Sequence, residues 1–119
     1  MNTIDTSFPR SRRITKSSEY QSFFNEGRKL HQDYFFIVVK ANKLNYPRLG
    51  FVIAKKHIKK AIKRNTVKRV IRESFRYHQY LLKGVDIVII AKKGLAELSK
   101  ENFRNQLDKQ WERVAKLFV

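Results

Sequence analysis

The chain of 119 residues contains no cysteine, which excludes a disulfide framework, a thiolate nucleophile and a cysteine-ligated zinc site. It also lacks a long apolar segment, because its longest aliphatic run, residues 87–91, is far shorter than the roughly 18 residues that cross a membrane. Arg10, Arg12 and Arg13 are not followed by an apolar segment, so the pattern of a secretory signal is missing. These absences favour a cytoplasmic protein with no membrane partner.

Acidic residues are scarce as well. Ten Asp and Glu residues stand against 27 Lys and Arg residues, which gives a formal net charge of +17. A small domain needs a net charge of only about 2–8 in magnitude to stay soluble. The excess therefore predicts a polyanionic partner, and nucleic acid is favoured over an anionic membrane surface. At this length a single domain, residues 1–119, is expected.

Groups that could carry out catalysis are few and dispersed. The ten carboxylates are scattered along the chain, and His31, His57 and His78 share no metal-ligand spacing. No glycine-rich phosphate loop or nucleophile motif occurs. The sequence therefore predicts no catalytic residue and no metal site in the protein, and catalytic groups are expected to come from another molecule.

The stretch from residue 63 to residue 76 predicts a helix with two different faces. One arc of the helical wheel, roughly 100° wide, carries polar and cationic side chains: Asn65, Lys68, Arg69, Arg72 and Arg76. A second arc, turned by about 150°, carries the side chains that are expected to pack: Val67, Val70, Ile71 and Ser74. Like charges in helical register repel one another, so this arrangement favours a helix whose cationic face is normally occupied by an anion.

The N-terminal half of the chain predicts an arm, a helix and strands. Residues 1–13 lack periodicity and are interpreted as a flexible basic arm, and residues 15–27 as a short helix. Residues 28–32 predict a short edge strand, and β-branched and aromatic residues predict a strand at 34–40. A further strand is predicted at 48–54, paired with the preceding strand as a hairpin.

The C-terminal half predicts a second strand-and-helix unit. Residues 55–63 form a basic connector, and the helix that follows is expected to end near Leu82, before Gly84. Residues 85–91 are apolar on both faces, which predicts a central strand. Ser99 is a suitable N-cap for a last helix whose apolar stripe is Phe103, Leu107, Trp111, Val114 and Phe118. The order helix, two or three strands, helix, strand, helix predicts an α+β sandwich with a βαβ crossover.

The aromatic residues of the first predicted helix leave two interpretations open. Tyr20 and Phe24 are four residues apart, so they share one helix face. That face either packs in the core or lines a groove on which unpaired bases stack.

The pattern Arg64-Asn65-x-x-Lys68-Arg69-x-x-Arg72-Glu73-x-x-Arg76 resembles the signature of the bacterial ribonuclease P protein subunit. The resemblance extends over essentially the whole chain, because other family features occur in the same order. They are Phe8-Pro9-Arg10, the lysine pair Lys55-Lys56, the segment DIVIIAKKG at residues 86–94, and the last helix with Trp111.

The resemblance implies the element order α-β-β-β-α-β-α, in a two-layer α/β sandwich whose βαβ crossover is left-handed, against the usual preference of about 98% for right-handed crossovers. It implies an accessory subunit that binds a catalytic RNA and helps to remove the 5′ leader of precursor tRNA. The RNA is expected to supply the active site and its magnesium ions, and no protein partner is required.

Site residues follow from the resemblance at matching positions. The RNA-binding residues it implies are Lys55, Lys56, Lys60, Arg64, Asn65, Lys68, Arg69, Arg72 and Arg76. The cleft that holds the single-stranded leader is expected to contain Tyr20, Phe24, Phe36 and Val38. Alternatives from other classes are a ribosomal or other structural RNA-binding protein, a DNA-binding architectural protein and a self-sufficient nuclease.

Overall fold

The structure is a computed structural model that describes residues 25–118. Within this range four strands form one sheet: β1 (Arg28–His31), β2 (Phe35–Ala41), β3 (Arg48–Val52) and β4 (Val85–Ala91). Their spatial order is β1-β2-β4-β3. β2 runs antiparallel to β1 and β4, whereas β3 runs parallel to β4. The predicted edge strand and central strand are confirmed.

The predicted hairpin between β2 and β3 is wrong, because β4 lies between these two strands. The hairpin was predicted from the polar turn at residues 41–47 between the two strands; strands consecutive in sequence are neighbours in about two-thirds of cases, and this pair is an exception. Apart from Asp86, β4 is apolar on both faces, so a central position buries more of its surface than an edge position would. Its first five residues, 85–89, are all buried.

Two long helices are described: α1 (Ala61–His78) and α2 (Lys100–Leu117). α1 joins β3 to the parallel strand β4, which confirms the βαβ crossover, while the left-handed sense of that crossover stays a prediction. The predicted N-cap of α2 is confirmed, because the Ser99 hydroxyl accepts a hydrogen bond of 3.1 Å from the Asn102 N–H. The helix predicted at residues 15–27 lies outside the described residues, apart from helical residues at 25 and 26.

Both helices pack against the same face of the sheet, and the core lies between the two layers. Trp111 is fully buried there and meets the Phe75 ring edge-on, with ring centroids 6.0 Å apart. Burying side chains of this size stabilises the fold by about 1.5–3 kcal/mol each. The core combines sheet residues with residues of both helices: Phe35, Ile37, Val39, Ile87, Ile89, Val67, Ile71, Phe75, Phe103, Leu107, Trp111 and Val114.

A hydrogen-bonded group of polar side chains fixes α1 against α2. The buried Ser74 hydroxyl accepts a hydrogen bond of 2.7 Å from Trp111 Nε1 and donates one of 2.5 Å to Asp108 Oδ1. Arg104 Nε donates to the same carboxylate oxygen at 3.2 Å. Because the indole N–H and the hydroxyl both have partners, the interface buries them without the cost of unsatisfied polar groups. This group holds in place the helix that carries the cationic residues.

The opposite side of the sheet, called the second face below, is organised in rows that run across the strands. In one of these rows Arg48 and Asp86 are register partners on the parallel strands β3 and β4. Arg48 Nε and a terminal nitrogen donate to the two Asp86 carboxylate oxygens at 2.8 and 2.5 Å, and Asn42 Nδ2 donates to Oδ1 at 2.8 Å. This bidentate pair fixes the register of β3 against β4.

Candidate nucleic-acid interface

The predicted cationic arc of α1 is present in the structure and is called the basic face, comprising Asn65, Lys68, Arg69, Arg72 and Arg76. Asn65 and Arg69 are exposed, and the other three are partly buried. The opposite side of α1 is fixed in the core by Val67, Val70, Ile71, Ser74 and Phe75. Because those residues set the rotation of the helix, the basic face points away from the core.

Two arginines of the basic face lie over aromatic rings. The Arg72 guanidinium carbon is 5.3 Å from the centroid of the Phe51 ring, and that of Arg76 is 5.3 Å from the Tyr77 ring. Such contacts restrict the conformations of these long side chains. Glu73, the only acidic residue of α1, lies 3.8 Å from Arg104 of α2. The one carboxylate on this helix is thus turned toward α2, beside the basic face.

The connector before α1 extends the cationic surface. Lys55, Lys56 and Lys60 are exposed, and Ile58 anchors the connector in the core with 1% exposure. The first turn of α1 contains no acidic residue, and Lys60 at the N-cap position makes no side-chain cap. The positive end of the helix dipole therefore adds to the lysine charges, which is a setting that suits phosphate groups.

Arg64 has a structural contact that sequence reasoning missed. Its guanidinium donates hydrogen bonds to the backbone carbonyls of Ile58 at 3.0 Å and Lys59 at 2.8 Å. Arg64 therefore holds the connector against the start of α1. No sequence pattern reports such a contact, because it depends on how the connector turns back toward the helix.

Two of the four predicted leader-binding residues lie in the part of the chain that the structure describes. Tyr20 and Phe24 lie outside the described residues. Phe36 is on the second face and is partly buried. Val38 is completely buried and packs with Val88. Its side chain offers no exposed surface, and a contact between Val38 and the leader stays a prediction. The alternation of side chains along the strand identified the face on which Val38 lies, but it did not show that Val38 is buried.

Two further side chains lie next to Phe36 and were not predicted as site residues. The His31 ring is stacked on the Phe36 ring, with centroids 5.2 Å apart and planes inclined by 27°. Lys92 Nζ is 5.9 Å from the Phe36 centroid and donates a hydrogen bond of 2.6 Å to the Gln32 carbonyl. The registers of β1 and β4 against β2 bring these residues together. The sequence did not predict this group, because the expected hairpin did not place β4, and Lys92 after it, beside β2.

Several carboxylates of the described region are held by cations. Asp86 is paired with Arg48, Asp108 with Arg104, and Glu26 with Lys40 at 2.8 Å. Between residues 25 and 118, no three or more His, Asp or Glu side chains are grouped so that they could hold a metal ion. Across the same residues, neither long helix is apolar enough to span a membrane.

Comparisons with known proteins identify relatives along almost the whole chain. A family model described as Ribonuclease P matches residues 8–115. The ribonuclease P protein component of Aliivibrio salmonicida is 42% identical over 109 residues, which are 92% of this chain and 93% of the relative. That of Pectobacterium atrosepticum is 37% identical over 114 residues, which are 96% of each chain. These matches favour this family over a ribosomal or other structural RNA-binding protein.

Solved structures agree with the sequence relatives. The RNase P protein of Staphylococcus aureus has a TM-score of 0.81 at 29% identity and covers 91% of this chain and 98% of its own. The RNase P protein of Thermotoga maritima has a TM-score of 0.76 at 34% identity and covers 85% of this chain and 96% of its own. With the α+β fold, the basic face and the family match over residues 8–115, these likenesses show that the chain belongs to the family of bacterial ribonuclease P protein components.

Proposed function

We propose that this chain is the accessory protein subunit of a ribonuclease P ribonucleoprotein and that its two sides bind different RNAs. The basic face of α1, with Lys55, Lys56, Lys60 and Arg64, binds the RNA subunit. The second face of the sheet, with Phe36 and the predicted aromatics Tyr20 and Phe24, binds the 5′ leader of precursor tRNA. The observation that carries the proposal is the basic face, whose cations share one side of a helix that is rigidly fixed in the core.

The chemistry of each side suits its proposed RNA. Lys and Arg side chains on a helix contact phosphates and read little sequence. Aromatic rings beside cations hold unpaired bases of any sequence, with about 1–3 kcal/mol per stacked base. Leaders differ between precursor tRNAs, so a binding surface that tolerates every base fits this substrate.

Catalysis is assigned to the RNA subunit. Asp86, Asp108 and Glu26 are engaged in ion pairs that belong to the fold or its surface, and no two of these pairs share a site. Magnesium is expected with the RNA. The His, Asp and Glu side chains of the described region form no group of three or more that fits a metal ion, so no step is assigned to a metal held by these residues. The protein's own contribution is binding and orientation of the leader.

The proposal is tested by the salt dependence of assembly between the protein and its cognate RNA subunit. Arg69→Ala/Arg72→Ala should weaken assembly, and each lost phosphate contact should lower the slope of log K against log[salt] by roughly 0.7–0.9. The matched control is Lys109→Ala/Lys116→Ala, which removes two charges from exposed positions of α2. Equal flattening of the slope in both double variants would mean that net charge, rather than the basic face, binds the RNA.

A further inference from the structure

The two halves of the connector before α1 are held in different ways. In the first half, the N–H groups of His57 and Ile58 donate to the Ala54 carbonyl at 3.0 and 3.1 Å, and the Ile58 side chain is buried in the core. In the second half, residues 58–60 have no regular secondary structure. The position of this half relative to α1 therefore depends on contacts made by side chains.

Arg64 supplies the contact that the second half needs. One terminal nitrogen of its guanidinium, Nη1, donates to the Ile58 carbonyl at 3.0 Å and to the Lys59 carbonyl at 2.8 Å. Within the part of the chain that the structure describes, these two carbonyls accept no other hydrogen bond. Because hydrogen bonds from a charged donor are roughly twice as strong as those between neutral groups, Arg64 is the main tie between this half of the connector and α1.

The charge of Arg64 lies at a helix end that does not favour cations. Arg64 is the fourth residue of α1, and the positive end of the helix dipole disfavours cations in the first turn. The two carbonyl oxygens carry partial negative charge, so their contact with the guanidinium offsets this effect. An oxygen that is turned toward Arg64 is also not presented to a phosphate. The neighbouring side chains of Lys59 and Lys60 are exposed.

We infer that Arg64 is a positioning residue, which acts in RNA binding mainly by holding Lys59 and Lys60 in place as phosphate ligands. The inference rests on the proposed function, adds Lys59 to the cations that bind the RNA subunit, and gives Arg64 a role apart from theirs. Lysines on a connector that is already fixed need little ordering when the RNA binds. Without Arg64, the affinity falls with the fraction of molecules in which the connector is in place.

The test is a double-variant cycle in which assembly of the full chain with its cognate RNA subunit is measured. Arg64→Met removes the charge and both bonds but keeps a long side chain that suits a helix. It should weaken assembly by about tenfold or more. It should also lower the slope of log K against log[salt] by about two phosphate contacts, roughly 1.4–1.8. In a protein that already carries Lys59→Gln/Lys60→Gln, the same substitution should change the affinity by no more than about twofold, because the lysines that it positions are gone.

Two matched cycles separate positioning from loss of charge. Lys55→Gln/Lys56→Gln removes two charges from the first half of the connector, which its own backbone bonds hold, and Arg64→Met should keep its full effect in that protein. Arg69→Met removes a cation of the basic face by the same substitution. It should weaken assembly equally whether or not the two lysines of the second half are present.

A measurement on the free protein tests the position of the connector without RNA. The NMR order parameters of the Lys59 and Lys60 amides should fall in Arg64→Met toward the flexible range below about 0.6, while those of α1 stay as in wild type. If Arg64→Met does not fold, Arg64→Lys is measured instead, since it keeps the charge on a shorter side chain. Arg64→Lys should lower the same order parameters and should lose most of its effect on assembly when Lys59 and Lys60 are replaced.

Three results would overturn the inference. If Arg64→Met weakens assembly equally with and without Lys59 and Lys60, Arg64 binds a phosphate itself, and the proposed function stands. If Arg64→Met, or Arg64→Lys in its place, leaves both the order parameters and assembly as in wild type, the connector keeps its position without Arg64. If wild type itself does not assemble with the RNA subunit, the proposed function fails and the inference fails with it, whatever the order parameters show.

Discussion

Replacing Ser74 by alanine should destabilise the fold by removing a hydroxyl that joins α1 to α2. Ser74 has 0% exposure. Its hydroxyl accepts from Trp111 Nε1 at 2.7 Å and donates to Asp108 Oδ1 at 2.5 Å. Trp111 is also fully buried, so Ser74→Ala leaves the indole N–H without that partner in a place that water does not reach.

The magnitude follows from the surroundings of the two partners. A buried donor left unsatisfied costs about 1–3 kcal/mol. The loss at Asp108 is smaller, because its side chain is 34% exposed to water and keeps the Arg104 contact at 3.2 Å. The higher helix propensity of alanine offsets about 0.5 kcal/mol of this destabilisation. The free energy of unfolding should fall by about 2 kcal/mol, which for 119 residues lowers Tm by about 8 °C.

Thermal and urea unfolding followed by circular dichroism measure this change. The control is Thr66→Ala on the same helix, whose hydroxyl donates to the Ile62 carbonyl at 3.0 Å near the surface. That substitution should change the free energy of unfolding by no more than about 0.5 kcal/mol. The reasoning is refuted if Ser74→Ala is as mild as Thr66→Ala, because the hydroxyl would then not be a buried link between the helices.

Two further predictions concern charge. Asp86→Asn should lower the free energy of unfolding by about 2–3 kcal/mol, less than for a fully buried pair because the Arg48 side chain is 23% exposed. The control is the surface substitution Glu112→Gln, which should change the free energy of unfolding, measured in urea, by no more than about 0.5 kcal/mol. If Asp86→Asn and Glu112→Gln lower it equally, the Arg48–Asp86 pair does not stabilise the fold as described. Sulfate should raise Tm more than chloride at equal ionic strength, by binding to the basic face. Arg69→Ala/Arg72→Ala should lose that gain, and an undiminished gain would point to general sulfate exclusion.

Features that depend on one element alone could be predicted from the sequence. The 3.6-residue period separated the basic face of α1 from its buried face, with Val70 and Ile71 in the core as expected. The apolar character of residues 85–91 on both faces placed β4 inside the sheet. The spacing of the stripe that contains Trp111, and Ser99 before it, defined α2 and its N-cap.

Features that depend on contacts between distant elements could not be predicted. Strand alternation placed Phe36 and Val38 on one face, but only the assembled structure shows that Val38 is fully buried and Phe36 only partly. The His31–Phe36 stack depends on the register of β1 against β2. The Arg64 contacts depend on the path of the connector. The link between Ser74 and Trp111 depends on how α1 packs on α2, which neither helix specifies by itself.

The most direct test of the proposed function is leader cleavage by the cognate RNA subunit at low magnesium, with and without the protein. The RNA alone should cleave precursor tRNA poorly under this condition, because phosphate repulsion between the two RNAs is then weakly screened. Adding the protein should restore cleavage at the 5′ leader, and the protein freed of RNA should cut nothing. Cleavage by RNA-free protein, or a reaction that the protein leaves unchanged, would contradict the assignment of an accessory subunit to a catalytic RNA.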